Sequence, residues 1–161
     1  MYILAAERDT DPSGAFRKYQ DYLTDQKGRF PSGAYRLATG SWWFDFGDHN
    51  CPHDSWLERF EVIESGDGDR DEIRSSELRV LLFGAYHDRT LQLHYRNVSS
   101  IQMDSSDLSS GHGRWRYDEF RVSETGALIH EIEWMNYKTT CRWIIEAEDI
   151  EFQSTLAPNA D

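Results

Sequence analysis

Apolar positions recur with a helical spacing near the start of the chain. Phe16, Tyr19 and Leu23 are separated by three and four residues, which places them on one face of a helix. Asp11, followed by a proline, is typical of a helix N-terminus, and Gly28 lies where the helix is expected to end. The pattern therefore predicts one helix across DPSGAFRKYQDYLTDQKG, with one face packed on a core.

From Tyr35 onward the apolar spacing changes to alternation, and β-branched and aromatic residues become frequent. The clearest example is 128–134, in which Leu128, His130 and Trp134 fall on one face and charged residues fall mostly on the other. This alternation predicts a half-buried sheet. Strands are predicted at 2–6, 35–38, 42–46, 56–64, 77–84, 90–95, 98–103, 115–122, 128–134 and 141–153, the last with a possible break at 148–149.

The segments between the predicted strands have turn chemistry and are short. SGDGDRDE, YHDR, DSSDLSSGHG and SETG cannot hold the crossover helices that parallel strands require. We therefore expect an α+β fold, with a mainly antiparallel, curved β-sheet or sandwich and one N-terminal helix. The length of 161 residues fits a single globular domain over 1–155, followed by a frayed tail at 156–161.

Composition narrows the classes of partner. The chain carries 17 basic and 29 acidic residues, for a net charge of −12. Such a surface repels nucleic acid and attracts basic proteins, so a basic protein is the expected partner. No apolar run is long enough for a membrane span, and two cysteines, Cys51 and Cys141, do not form a disulfide framework. We expect a cytoplasmic protein that binds neither nucleic acid nor membrane.

The stretch SWWFDFGDHNCPHDSW, residues 41–56, contains the most suggestive group of side chains. His49, Cys51 and His53 would share one face of an extended backbone, and Asp48 or Asp54 could supply a further zinc ligand. The intervening asparagine and proline instead favour a turn, and no second cysteine or histidine pair exists at a standard spacing. A structural loop without bound zinc or any other cofactor is therefore the expectation.

Two His-Asp dipeptides, His53–Asp54 and His87–Asp88, resemble the metal-binding pairs of helical phosphohydrolases. Both lie in predicted turns between strands, where the helical context is missing. A metal-dependent hydrolase that uses His49, Cys51 and His53, or His87 and Asp88, remains the alternative function.

Carboxylates at two-residue spacing offer another catalytic arrangement. Glu131 and Glu133 share one predicted strand face, as do Glu146 and Glu148, and close carboxylates can act as an acid–base pair. Polar faces of ordinary strands have the same pattern. We therefore expect these residues to be structural, with a carboxylate-based hydrolase as part of the alternative.

An acidic loop begins like a calcium site, with Asp67, Asp69 and Asp71 alternating along the chain. Glu72 occupies the sixth position, where the sharp turn needs glycine, and Leu78 occupies the twelfth, where a bidentate glutamate is needed. The sequence therefore favours a solvated hairpin loop.

Two further motifs have simple structural explanations. RWRY at 114–117 interleaves basic and aromatic residues as base-stacking strands do, but the surrounding acidity argues against this role. Cys141 alternates with Trp143, which is the pattern of a buried strand thiol rather than a nucleophile.

A resemblance spans about residues 35–152. GAYRLATGSWWFDF, CPHDSWLE, LLFGAYHD, GRWRYDEFRVSETGALIHEIEW and RWIIEAEDIEF are similar to segments of a group of small bacterial proteins with no assigned activity. This resemblance implies a bacterial intracellular protein. In size, acidity and predicted sheet content, the chain also resembles immunity proteins of bacterial toxin systems, which implies a protein partner.

The sequence thus favours a non-catalytic acidic binding module, immunity-like or regulatory, over the alternative hydrolase. No complete set of catalytic residues is present, and the charge balance suits protein recognition.

Overall fold

A computed structural model describes residues 1–104, 108–109, 111–137 and 139–157. Within these residues the fold is α+β, as predicted, with a 3₁₀ turn at Ala6–Asp9, two helices and six strands. The antiparallel sheet curves until it closes into a barrel. The elements are α1 (Pro12–Gln26), α2 (Ser32–Ala38), β1 (Trp56–Ser65), β2 (Ser75–Phe83), β3 (Arg89–Asp104), β4 (Arg114–Val122), β5 (Leu128–Met135) and β6 (Thr140–Leu156).

The strand order around the barrel is β1-β2-β3-β6-β5-β4. The two longest strands, β3 and β6, pair along nearly their whole length, from Arg89↔Leu156 to Asp104↔Arg142. Hairpins flank them on both sides. The barrel is closed by a short contact, because β1 and β4 pair at one position among the described residues, Trp56↔Arg114.

The predicted helix is confirmed as α1. The Asp11 carboxylate accepts a hydrogen bond from the Gly14 N–H at 2.9 Å, which satisfies one of the free donors at the helix start. Tyr19 and Leu23 are buried against the barrel, as their spacing predicted. The helix ends at Gln26, two residues before the glycine expected there.

Alternation in β5 places apolar side chains inside the barrel. Leu128, His130 and Trp134 are fully buried on the inner face. The outer face is covered as well, because Glu131 and Glu133 are 3% and 5% exposed. The sheet is therefore buried on both faces here, whereas the sequence predicted a half-buried strand.

The strand predicted at 35–38 is wrong, because this segment belongs to helix α2. Ala34, Leu37 and Ala38 are buried at helical spacing, but the seven-residue helix is too short for the period to be distinguished from alternation. Its first free N–H groups are paired by the distant carboxylate of Asp149.

The strand predicted at 42–46 is also wrong. Successive turn hydrogen bonds join Trp43 to Gly40 and Asp45 to Trp42, so the backbone coils rather than extends. The aromatic residues that suggested a strand pack into the end of the barrel, where Trp43 is fully buried.

The strand predicted at 2–6 is absent from the sheet of described residues. The backbone N–H groups of Tyr2 and Leu4 both donate to Glu119 Oε2, at 2.8 and 3.3 Å, instead of pairing with another strand. The 3₁₀ turn at Ala6–Asp9 follows directly.

The two strands predicted at 90–95 and 98–103 are one continuous strand, β3. The gap between them is a bulge: Asn97 has φ 46° and the pairing shifts between Val98 and Ser100. Strand β6 likewise has no break and extends to Leu156. Most of the tail predicted at 156–161 lies outside the described residues.

Candidate functional site

Cys51 lies in the loop between α2 and β1 and has a structural contact. Its thiol donates to the Trp43 carbonyl oxygen at 3.0 Å. Burial raises the pKa of this thiol to about 12, so the thiolate that zinc or a nucleophilic mechanism requires is strongly disfavoured. Cys51 and Cys141 are not joined by a disulfide.

The fold joins His49, from the candidate group His49, Cys51 and His53, to Asp88, from the candidate pair His87–Asp88. His49 Nδ1 lies 2.7 Å from Asp88 Oδ2, and its ring stacks on Tyr86 with centroids 4.0 Å apart. The hydrogen bond from His49 lowers the pKa of Asp88. His87 turns away, at φ 61°, and stacks on Phe83. The resulting His49–Asp88 dyad was not predicted from sequence.

His53 has partners of its own. Its ring stacks on Phe46 with centroids 3.9 Å apart, and its Nδ1 lies 3.4 Å from Asp54 Oδ2. Burial lowers its pKa and favours the neutral ring. Across the described part of the chain, no three His, Cys, Asp or Glu side chains are grouped so as to hold a metal ion.

The predicted carboxylate pair of β5 lies in a network of arginines. Glu131 contacts Arg121 and, at 2.8 Å, Arg142. Glu133 contacts Arg8 at 3.2 Å. These ion pairs neutralise the buried carboxylates and attach the N-terminal segment to the outer face of the sheet. The geometry supports a structural role.

The other carboxylate pair does not form a shared site. Glu146 is partly buried on β6, whereas Glu148 is exposed and accepts a hydrogen bond from Asn97 at the β3 bulge. Within RWRY, Trp115 is fully buried and Arg114 Nε lies 3.4 Å from Asp54, so the motif does not present a row of exposed rings.

A buried hydrogen-bonded chain runs through the barrel core and was missed by sequence analysis. Asp118 accepts from the indole N–H groups of Trp43 and Trp115, at 2.9 and 3.1 Å. His130 Nε2 lies 3.0 Å from Asp118, and His130 Nδ1 lies 2.7 Å from the Tyr95 hydroxyl. Burial raises the pKa of Tyr95 well above its usual value. All five side chains are at most 2% exposed, so a substrate cannot reach this buried hydrogen-bonded chain.

The sequence contained a signal for this buried hydrogen-bonded chain of side chains. His130 lies in phase with the apolar positions of β5, where a polar residue needs a buried partner. The identity of that partner depends on the pairing of β4 with β5, which local sequence does not reveal.

The exposed acidic groups are concentrated on the β1–β2 hairpin. Residues 56–83 contain eight carboxylates and four arginines. Glu72 is used within the loop, where it accepts from the Gly68 and Asp69 N–H groups. Six others are exposed and have no ion-pair partner among the described residues, and we call them the hairpin carboxylates: Glu58, Glu61, Glu64, Asp67, Asp69 and Asp71.

Neither α1, α2 nor the 3₁₀ turn, the helices of the described residues, has the length and apolar character of a membrane span. Comparisons of the chain with protein-family models, with curated proteins and with solved structures gave no match.

Proposed function

We propose that this protein is a non-catalytic binding module that recognises a basic partner protein through the β1–β2 hairpin. The observation that carries this proposal is the set of six hairpin carboxylates, which are exposed and unpaired among the described residues. With eight carboxylates against four arginines, the hairpin projects a negative potential that attracts a positive surface and repels nucleic acid.

The contrast with the rest of the barrel supports this choice of surface. Glu119, Glu131 and Glu133 on β4 and β5 are buried and lie against arginines. Their charges therefore contribute little outside the molecule. The hairpin, with eight carboxylates and four arginines, contributes −4 of the net charge of −12.

Apolar side chains on the same strand supply a surface for contact. Trp56 and Val62 of β1 are each 49% exposed. Protein interfaces commonly combine an apolar contact area with a charged rim that directs approach. The alternative hydrolase gains little support, because the fold joins His49 to Asp88 but leaves Cys51, His53 and His87 with separate contacts.

The experiment is partner capture followed by kinetics. We expect capture from bacterial lysate to yield a basic protein, whose purified form associates more slowly as NaCl is raised. The triple variant Glu58→Gln, Glu61→Gln and Glu64→Gln should slow association by about tenfold at low salt.

The matched control removes the same number of charges elsewhere, through Asp21→Asn, Asp25→Asn and Glu124→Gln on exposed positions. It should change the association rate by less than about twofold. An acidic partner, a salt-independent rate, or equal slowing by the control would contradict the proposal.

A further inference from the structure

A cavity of about 860 Å³ lies at the seam where β1 meets β4. Its walls include Trp56 and Leu57 of β1, Arg114 of β4, and Met135 and Tyr137 at the end of β5. The volume falls within the range of about 300–1,000 Å³ that is usual for small-molecule sites. Apolar side chains dominate these walls.

His112 lines the same cavity, and its Nε2 is buried without a hydrogen-bond partner in the described residues. The imidazole packs against the rings of Trp134 and Trp143, with centroids 5.7 and 5.0 Å away. The indole nitrogens of both tryptophans are also buried and lack a partner among the described residues. Three adjoining rings therefore carry unsatisfied nitrogens.

The neighbouring part of the barrel core, where the Trp115 ring lies 5.3 Å from the Trp134 ring, shows that this fold can satisfy buried indoles. Trp43 and Trp115 both donate to Asp118. Since most buried polar atoms in proteins have a partner, the unsatisfied Nε2 of His112, whose ring lines the cavity, points to a hydrogen-bonding ligand. Burial lowers the pKa of His112, so at neutral pH its ring is predominantly uncharged.

Charge narrows the ligand class. None of the described residues that line the cavity is acidic, although the chain has 29 acidic residues, and among these described residues Arg114 carries the permanent charge. Arg114 is half exposed, and its Nε lies 3.4 Å from Asp54. A guanidinium has five N–H donors in a planar fork, so this contact leaves donors for a second carboxylate.

We infer that this cavity binds a small monocarboxylate with an apolar body, with Arg114 pairing with the carboxylate and His112 Nε2 providing a hydrogen bond. The site goes beyond the proposed partner surface and shares Trp56 with it, but no hairpin carboxylate lines the cavity and Arg114 is not part of that surface. The two can therefore fail separately.

The test uses 1-naphthaleneacetate and its neutral amide, 1-naphthaleneacetamide, in isothermal titration calorimetry. We expect the acid to bind saturably, with one molecule per chain, and about tenfold more tightly than the amide. Arg114→Gln should abolish this preference, whereas Arg114→Lys should keep part of it. Arg17→Gln, at an exposed position on α1, is the control and should leave both affinities unchanged.

His112→Phe separates a binding role from a structural role. The phenyl ring keeps the packing and removes the unsatisfied nitrogen, so the urea midpoint should not fall, while affinity for the acid falls about fivefold. Absence of saturable binding of the acid, equal affinity for acid and amide, or unchanged preference in Arg114→Gln would overturn the inference. Unchanged acid affinity in His112→Phe would also overturn the assigned role of His112.

Discussion

At the scale of single residues, the carboxylate of Asp118 organises the polar part of the core. It accepts hydrogen bonds from Trp43 and Trp115 and contacts His130, which in turn contacts Tyr95. A buried carboxylate is tolerated only where donors replace the water it loses. Each donor also fixes the orientation of a large ring, so one side chain positions much of the barrel interior.

Replacing Asp118 by alanine should destabilise the protein by about 3–5 kcal/mol, because several buried donors lose their acceptor at once. Urea unfolding followed by tryptophan fluorescence measures the change. Asp21→Ala, on the exposed face of α1, is the control and should stay within about 0.5 kcal/mol. A loss below about 1 kcal/mol in Asp118→Ala would show that the network is not coupled to folding.

Stability should fall as pH is lowered from 7.5 to 5.5. Burial lowers the pKa values of His53 and His112 in the folded state. The unfolded chain, with histidine pKa values of about 6.5, therefore binds protons first, and protonation favours unfolding. The contribution of the two neutral histidines to the free energy of unfolding is complete above pH 6.5. It is lost as the pH falls towards their pKa values in the folded state.

Urea midpoints across this range measure the effect, and the double variant His53→Phe and His112→Phe should lose less stability than the native protein. Identical pH profiles for the two proteins would exclude these histidines as the cause.

At the scale of elements, α2 depends on β6. The N–H groups of Gly33 and Ala34 donate to the Asp149 carboxylate at 3.0 and 2.9 Å. A helix of seven residues is too short to be stable alone, so the two hydrogen bonds to Asp149 supply stability that a longer helix would have by itself. The approach is close, because a Cβ on Gly33 would lie 2.1 Å from the carbonyl oxygen of Ile150.

Gly33→Ala should therefore push α2 away from β6 and destabilise the protein by about 1–3 kcal/mol. Gly28→Ala is the matched control, because a Cβ there meets no atom within 4 Å. It should be neutral or slightly stabilising. Thermal unfolding of both variants measures the difference, and equal Tm values would refute the proposed close packing.

At the scale of the whole molecule, the charge is unevenly distributed. Arginines lie against the buried glutamates of β4 and β5, whereas the hairpin carboxylates follow one another along the β1–β2 hairpin and are unpaired among the described residues. Mutual repulsion among the latter opposes the compact state, and this repulsion weakens when salt screens it. The same groups thus lower stability and favour a basic partner.

Raising NaCl from 0.02 to 0.3 M should increase the Tm by about 2–5 °C, because screening relieves this repulsion. The triple variant Glu58→Gln, Glu61→Gln and Glu64→Gln should show a smaller increase. The variant with Asp21→Asn, Asp25→Asn and Glu124→Gln has the same net charge as the triple hairpin variant. It should keep most of the salt-induced increase in Tm. Equal increases of Tm with salt in the two variants would show that the repulsion does not come from the hairpin carboxylates.

The sequence by itself determined the elements whose signals are local. Helix α1 was predicted because its cap and apolar stripe lie within one segment, as the Asp11 bond and the buried Tyr19 show. Strands β1, β2, β4 and β5 were predicted because alternation persists over eight to ten residues. Short loops with turn chemistry made antiparallel pairing the expected arrangement.

Only the tertiary structure decided the features that depend on partners distant in sequence. Helix α2 is held by Asp149, more than 100 residues away, and Glu131 is neutralised by arginines from other strands. Trp43 entered the core from a coiled loop rather than a strand because Asp118 offered its indole an acceptor. The spacing of apolar residues along the sequence indicates which positions are buried. The partners of a buried charge or hydrogen-bond donor depend instead on strand register and on closure of the barrel.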